Sequence, residues 1–191
     1  MKFNEYINLQ KSDLYRYDGK SSFSSFIYHG IFTPGFKYTF WMRTCAFFSS
    51  HLMLRFLLFP FSWLILQHYE YKFGISISYR TKISSGFYIG HFGSIIINQN
   101  SVIGMNCNIS QDVTLGQSNR GIRKGYPVVG DSVYIGPGAK IIGNVNIGNN
   151  VAIGANSVVT KDIPDNSVVV GIPGKIISSN GSYGYINNTD Y

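Results

Sequence analysis

VGDSVYIGPGAKIIGNVNIGNNVAIGANSVV, residues 129–159, repeats every six residues. Val129, Ile135, Ile141, Ile147, Ile153 and Val159 fall on the beat. Upstream the same beat runs through Ile77, Ile83, Ile89 and Ile95, shifts by two, and resumes at Ile97, Ile103, Ile109 and Leu115. Residues two before a beat are small or apolar as well: Cys107, Val113, Val133, Ala139, Val145, Val151 and Ser157. Neither helix spacing nor strand alternation produces a period of six. Flat sides joined by tight corners do, and three of them close a triangular coil of about eighteen residues. Each coil buries its apolar residues against its neighbours. Gly, Asn and Asp at the corners, as in Gly104-Met-Asn106 and Gly148-Asn-Asn150, tolerate positive φ. The reading is a mainly β protein, a parallel β-helix of roughly four to five coils.

Three regions follow: 1–73, helical and apolar-basic; 74–177, the coil; and 178–191, a loose polar tail rich in Ser, Gly, Asn and Tyr. Residues 1–36 read as irregular or weakly helical, with turn formers at Asp18-Gly19 and Pro34-Gly35. Residues 38–72 are helical in character and very apolar, and Pro60 ends or kinks a helix there. The uncharged runs beside Arg55 are eleven and fourteen residues long, against about twenty needed to span a bilayer. Two readings remain for this stretch: helices packed on the coil or on a partner subunit, or a segment lying in a membrane interface.

The net charge of +7 is uneven. Residues 1–82 hold ten Lys/Arg against four Asp/Glu, and residues 83–191 six against five. The basic residues are scattered, which disfavours nucleic acid and suits a membrane surface or an anionic substrate. Two cysteines, Cys45 and Cys107, make no disulfide framework. With no secretory leader, they place the chain in the cytosol, with peripheral contact at the inner membrane face as a further expectation.

Reactive groups are sparse within the repeats. The one histidine there, His91, stands two after the beat at Ile89, at the first phase shift, in Gly86-Phe-Tyr-Ile-Gly-His-Phe-Gly93. Histidine is the side chain whose ordinary titration lies near neutrality, which makes it a candidate general base. Between Leu115 and Val129 the beat slips again. Residues 117–126, with Arg120, Arg123 and Lys124, leave the coil as a solvated loop or as a flap over a ligand groove.

These motifs resemble the hexapeptide-repeat acyltransferases, and most nearly their serine acetyltransferase branch. The likeness rests on Ile103-Gly-Met-Asn-Cys-Asn-Ile-Ser-Gln-Asp-Val-Thr-Leu-Gly116, on Ile141-Ile-Gly-Asn-Val-Asn-Ile-Gly148, on Ile153-Gly-Ala-Asn-Ser-Val-Val159 and on Gly171-Ile-Pro-Gly-Lys-Ile176. It implies a left-handed coil, although crossovers are ordinarily right-handed. It implies acetyl-CoA as acetyl donor, no metal, and direct transfer with His91 as general base. Backbone N–H groups around Gly116 would stabilise the oxyanion. By position, Gly136, Gly154, Ala155, Gly171 and Pro173 would line the pantetheine arm, and Lys161 and Lys175 would meet the CoA phosphates. The donor would lie between neighbouring coils of a homotrimer, or of a pair of trimers, with His91 facing a neighbour's excursion loop.

The likeness also shows departures. Gly90 stands where the branch has an amino-acid-binding aspartate, Ser76 where it has a histidine-orienting aspartate, and Gly125-Tyr126 where it has an Arg-His pair. Ser76 or Tyr126 is left as the imidazole's neighbour. Tyr88, Arg120, Arg123 and Tyr126 become the acceptor-side candidates. The pattern is more similar to relatives that O-acetylate sugars of bacterial surface polysaccharides, some of them lipid-linked. A sugar acceptor is therefore the first expectation and serine the alternative. A zinc-dependent carbonic anhydrase on this fold needs three histidines, and the repeats have one. A non-catalytic scaffold is the remaining alternative.

Overall fold

The computed structural model describes all 191 residues. Five helices precede the coil: α1 (Phe3–Asp18), α2 (Phe23–Phe32), α3 (Pro34–Ser49), α4 (Leu52–Leu57) and α5 (Phe59–Phe73). From Ile75 the chain winds as a three-sided parallel β-helix of about five turns. The first face stacks Ile75–Ile77, Ile95–Ile97, Thr114–Gly116, Lys140–Ile142 and Val158–Val159. The second stacks Lys82–Ile83, Val102–Ile103, Val128–Val129 and Asn146–Ile147, with Ile163 bridging to Ile147 below. The third stacks Tyr88–Ile89, Asn108–Ile109, Tyr134–Ile135, Ala152–Ile153 and Val168–Val170, and Lys175–Ser178 adds an antiparallel strand that closes its end.

All fourteen beat residues are buried. Burying one such side chain is worth about 1.5–3 kcal/mol, so the column is the main source of the coil's stability. Two of the three edges contain one left-handed residue per coil, in register. Gly86, Asn106, Ser132, Asn150 and Asn166 follow the second face, and Ser94, Asp112, Gly138 and Asn156 follow the third. A β-branched residue there would be strained, which explains the Gly, Asn, Asp and Ser of the corners.

The phase shifts are insertions at corners. Ile75 pairs with Ile95, a coil of twenty residues, whereas Ile96 pairs with Thr114, a coil of eighteen. The two extra residues sit in the corner 90–94. The larger slip is the excursion 117–126, between the first and second faces.

Residues 1–36 are not irregular. They form α1, α2 and the start of α3. Asp18-Gly19 is the end of α1, with Gly19 left-handed at its cap. Pro34-Gly35 is the first turn of α3, where proline's fixed φ and missing N–H do no harm. A Cβ on Gly35 would lie 2.2 Å from Ile89 O, so only glycine lets α3 approach the coil this closely. Pro60 opens α5 in the same way.

An open coil end exposes unpaired strand edges. Here one side chain covers each face. Tyr38 Oη donates to Ile77 O at 2.8 Å and accepts from Ile77 N at 2.9 Å. Arg43 donates to Ile83 O at 2.5 Å and Ser84 O at 2.7 Å. Tyr17 Oη donates to Ile89 O at 3.2 Å. Arg43, which interrupts the apolar stretch in sequence, is buried and paired with the fully buried Asp13, whose Oδ2 lies 3.0 Å from Nε. Burial pushes the Asp13 carboxyl above the ordinary carboxylate range, Arg43 notwithstanding. Cys45 and Cys107 are buried and unpaired. Burial pushes the Cys107 thiol up to about 12, as suits a packing role.

The tail is not loose. It climbs the third face back to the first coil. Ser182 Oγ donates to Ser132 O at 2.6 Å, Asn108 Nδ2 to Tyr185 O at 2.9 Å, Arg16 Nε to Asn187 O at 2.8 Å, and Tyr191 Oη to Ser85 Oγ at 3.0 Å. Tyr185 stacks on Tyr134 with ring centres 4.4 Å apart. These bonds tie it to the coil and to α1, while most of its residues remain exposed.

Candidate functional site

Ile89, Ile109, Ile135, Ile153 and Val169 are successive partners on the third face. The corners that follow them therefore stack into one edge of the prism. It carries His91 in the enlarged first corner, then Gln111, then Gly136 and Pro137, then Gly154 and Ala155, then Gly171 and Pro173. Backbone bonds fix the register: Gly90 N to Ile109 O at 3.3 Å, Ser110 N to Ile135 O at 3.1 Å, Gly136 N to Ile153 O at 2.8 Å and Gly154 N to Val169 O at 2.8 Å. With strands about 4.8 Å apart, the edge runs about 19 Å from the first corner to the last. Lys175 pairs with Val170 at its far end.

The glycines of this edge are required by the fold itself. A Cβ on Gly136 would lie 2.8 Å from Ile153 O, and one on Gly154 would lie 2.8 Å from Val170 Cγ1. Below the second corner, where Gln111 and the Asp112–Lys140 pair (2.8 Å) stand, the edge has few side chains, and Ala155, Gly171 and Pro173 are exposed.

His91 is exposed, and its imidazole makes no hydrogen bond or ion pair within the chain. Its corner is held from both sides. Phe92 packs on Phe73 with ring centres 5.5 Å apart. Tyr88 lies against Gly90, where a Cβ would meet its Cε1 at 3.1 Å. Tyr88 is itself packed on Tyr17, ring centres 4.6 Å apart, and the Arg16 guanidinium lies 5.9 Å from its centroid. Tyr88 thus occupies the space next to position 90.

Ser76 lies on the first face and does not stand free. Its hydroxyl donates to Glu70 Oε1 at 2.8 Å, and Gln67 Nε2 donates to Glu70 Oε2 at 2.9 Å. Glu70, at the end of α5, is the carboxylate that the sequence pattern does not flag, because it belongs to a helix and not to the repeat. No group of three or more His, Cys, Asp or Glu side chains gathers to hold a metal ion.

The remaining candidates occupy a different edge. Gly116 ends a first-face strand, and the excursion leaves from there as a short hairpin closed by Ser118 N to Gly125 O and Gly125 N to Ser118 O, both 3.0 Å. The hairpin lies down over the corners of the next two coils of the same chain. Arg123 O accepts from Asn144 N at 2.9 Å, and Arg123 Nη1 pairs with Asp162 at 2.6 Å. The hydrogen bond from Arg123, with one from Asn146 N, holds the Asp162 carboxyl below the ordinary range. Arg120, Tyr126 and Lys161 belong to this edge too. A Cβ on Gly116 would lie 2.6 Å from Ile142 Cδ1, so packing accounts for that glycine. Within one chain His91 is brought together with Gly136, Gly154, Ala155, Gly171, Pro173 and Lys175, and separated from Gly116, Arg120, Arg123, Tyr126 and Lys161.

Residues 126–161 match the family model described as bacterial transferase hexapeptide, six repeats. The serine acetyltransferase of Synechococcus elongatus is 40% identical over 108 residues, which cover 56% of this chain and 44% of the relative. That of Staphylococcus aureus strain Mu50 is 44% identical over 108 residues, 56% of this chain and 51% of the relative. The chain spans about half the length of the curated relatives it matches. Among solved structures, a serine acetyltransferase of Brucella abortus strain S19 in complex with coenzyme A matches with a TM-score of 0.75 and 25% identity, over 94% of this chain and 70% of that one. The likeness extends into the helices and agrees with a left-handed coil.

Proposed function

We propose that this chain, a hexapeptide-repeat protein of the serine acetyltransferase-like branch, is an acetyl-CoA-dependent O-acetyltransferase with His91 as general base. The observation that supports it most is the single prism edge. It sets one unpartnered imidazole, in a corner enlarged by two residues, at the head of a column that has few side chains below its second corner and is long enough for an extended ligand.

In the proposed reaction an imidazole nitrogen of His91 takes the proton of the acceptor hydroxyl. The oxygen attacks the thioester carbonyl, the C–S bond breaks, and the departing CoA thiolate takes the proton back from the imidazolium. Gly136, Gly154, Ala155, Gly171 and Pro173 line the pantetheine arm, and Lys175 meets the phosphates at the far end. The hairpin and Lys161 lie on another edge, so Gly116, Arg120, Arg123, Tyr126 and Lys161 join the site only from a neighbouring copy. A homotrimer supplies one at every groove.

For the acceptor, the names of the relatives support serine ahead of a sugar. A sugar of surface-polysaccharide biosynthesis is the second reading, and one specific observation favours it. Gly90 carries no carboxylate, Tyr88 fills the space beside it, and the Ser76 hydroxyl is engaged by Glu70. That leaves no free acid on this corner for an ammonium group. The test is acetyl-CoA consumption with serine and with a panel of sugars. Turnover on serine supports the first acceptor, and turnover on a sugar alone supports the second. A scaffold would show neither turnover nor a thermal shift with millimolar acetyl-CoA.

A further inference from the structure

We infer that the outer faces of α2, α4 and α5 form a docking surface for an anionic lipid bilayer. The inference does not depend on acetyl transfer or on the acceptor.

The helical layer has two unlike sides. α3 buries Phe36, Tyr38, Met42, Cys45 and Phe47 against the coil and the other helices. α4 buries none of its residues, and Leu52, Met53 and Phe56 are each 74% exposed. These three and Leu57 form one helical face, and Phe61 and Leu64, three apart on one side of α5, are exposed just after it. Phe23, Ile27 and Ile31 make a second exposed stripe along α2. Between α2 and α3, with Tyr69 of α5 at its side, runs a mostly apolar groove of about 290 Å³ whose lining includes Ile31, Lys37, Phe40 and Trp41. Clusters of exposed large apolar side chains such as these mark contact with a partner or a membrane.

The charge on this layer identifies what covers it. From residue 19 to residue 69 there is no Asp or Glu, while Lys20, Lys37, Arg43 and Arg55 are present. Arg43 is buried, and Arg55 is exposed on the flank of the apolar face of α4, one turn from Leu52 and Leu58. The bordering carboxylates are engaged: Asp18 with Ser25 and His29, Glu70 with Gln67 and Ser76. A second copy docked face to face would set Arg55 against a surface with no acid of its own. An anionic headgroup layer supplies the missing charge while its acyl region takes the Leu, Met and Phe side chains. Arg55 can reach the headgroups along its apolar stem. No helix is long and apolar enough to cross a membrane, so the contact is in the interface plane.

The experiment is co-sedimentation of the full chain with phosphatidylcholine vesicles, with and without phosphatidylglycerol. Binding at least about tenfold stronger with the anionic lipid is expected. The variant L52S/M53S/F56S/L57S removes no buried side chain. It should keep the wild-type melting temperature and lose at least about tenfold in binding. Brominated acyl chains should quench Trp63, which is 41% exposed beside this face. The inference is overturned if the wild-type chain stays in the supernatant with both vesicles, if the variant binds like wild type, or if Trp63 is not quenched. A loss of oligomeric mass by the variant in vesicle-free sedimentation equilibrium, with lipid binding intact, would assign the face to a second copy instead.

Discussion

Replacing Asp13 with alanine removes the acid from the coil's cap. Asp13 is fully buried and accepts from Arg43 Nε at 3.0 Å, Arg43 Nη2 at 3.2 Å and Phe87 N at 2.9 Å. The alanine leaves the Arg43 guanidinium buried, with only Ile83 O and Ser84 O as acceptors, and orphans the Phe87 N–H. Removing one partner of a buried pair costs about 3–5 kcal/mol. For a chain of this size each kcal/mol moves the melting temperature by about 2–4 °C. The expected fall is therefore roughly 6–20 °C in a thermal melt followed by circular dichroism. The double variant D13A/R43M, with no stranded charge, should melt above D13A. A melting point for D13A within about 2 °C of wild type, or a double variant less stable than D13A, would refute the idea that this pair holds the helices on the first coil.

The Arg123–Asp162 pair is exposed, so Asp162→Asn should lower the melting temperature by less than about 4 °C while speeding tryptic cleavage at Arg120, Arg123 and Lys124. The Asp162 carboxyl is held below its unfolded range, so the stability it lends is present above that range and is lost as the pH falls through the folded value. Protection of the Ser118 and Gly125 amides should therefore stay flat from pH 8 to about 5 and fall only below about 4. Ala155→Trp places a bulky ring on the exposed edge with no core contact to break. It should raise the dissociation constant for acetyl-CoA at least about tenfold, roughly 1.4 kcal/mol, with an unchanged melt. Equal binding in calorimetry would remove Ala155 from the groove.

The coil was legible because its physics is local. Fourteen aliphatic residues at a fixed step have few other ways to be buried together, and the shift between Ile95 and Ile97 marks the enlarged His91 corner. The cap was not legible, because its determinants are pairings between distant residues. Asp13 meets Phe87, Arg16 meets Gly86 O at 2.7 Å, and Arg43 meets Ile83. In sequence Arg43 reads only as a charge interrupting an apolar stretch, and Asp13 and Arg16 lie in a segment with no periodic pattern. The first helices hide for a related reason: α2, FSSFIYHGIF, is built of weak helix formers and is held by packing on α3. The tail's Ser, Asn and Tyr have the composition of a solvated segment, and only the prism's unused corner groups reveal that they are bonded. Glu70 was missed beside Ser76 because one belongs to a helix and the other to the repeat.

The most direct test of the account is the turnover of His91→Gln in the intact chain, together with its affinity for acetyl-CoA. The substitution removes an exposed imidazole that makes no hydrogen bond within the chain. The account predicts a loss of acetyl transfer of about a hundred- to ten-thousand-fold, with the melt and the acetyl-CoA dissociation constant unchanged. Turnover equal to wild type on the same acceptor would contradict it.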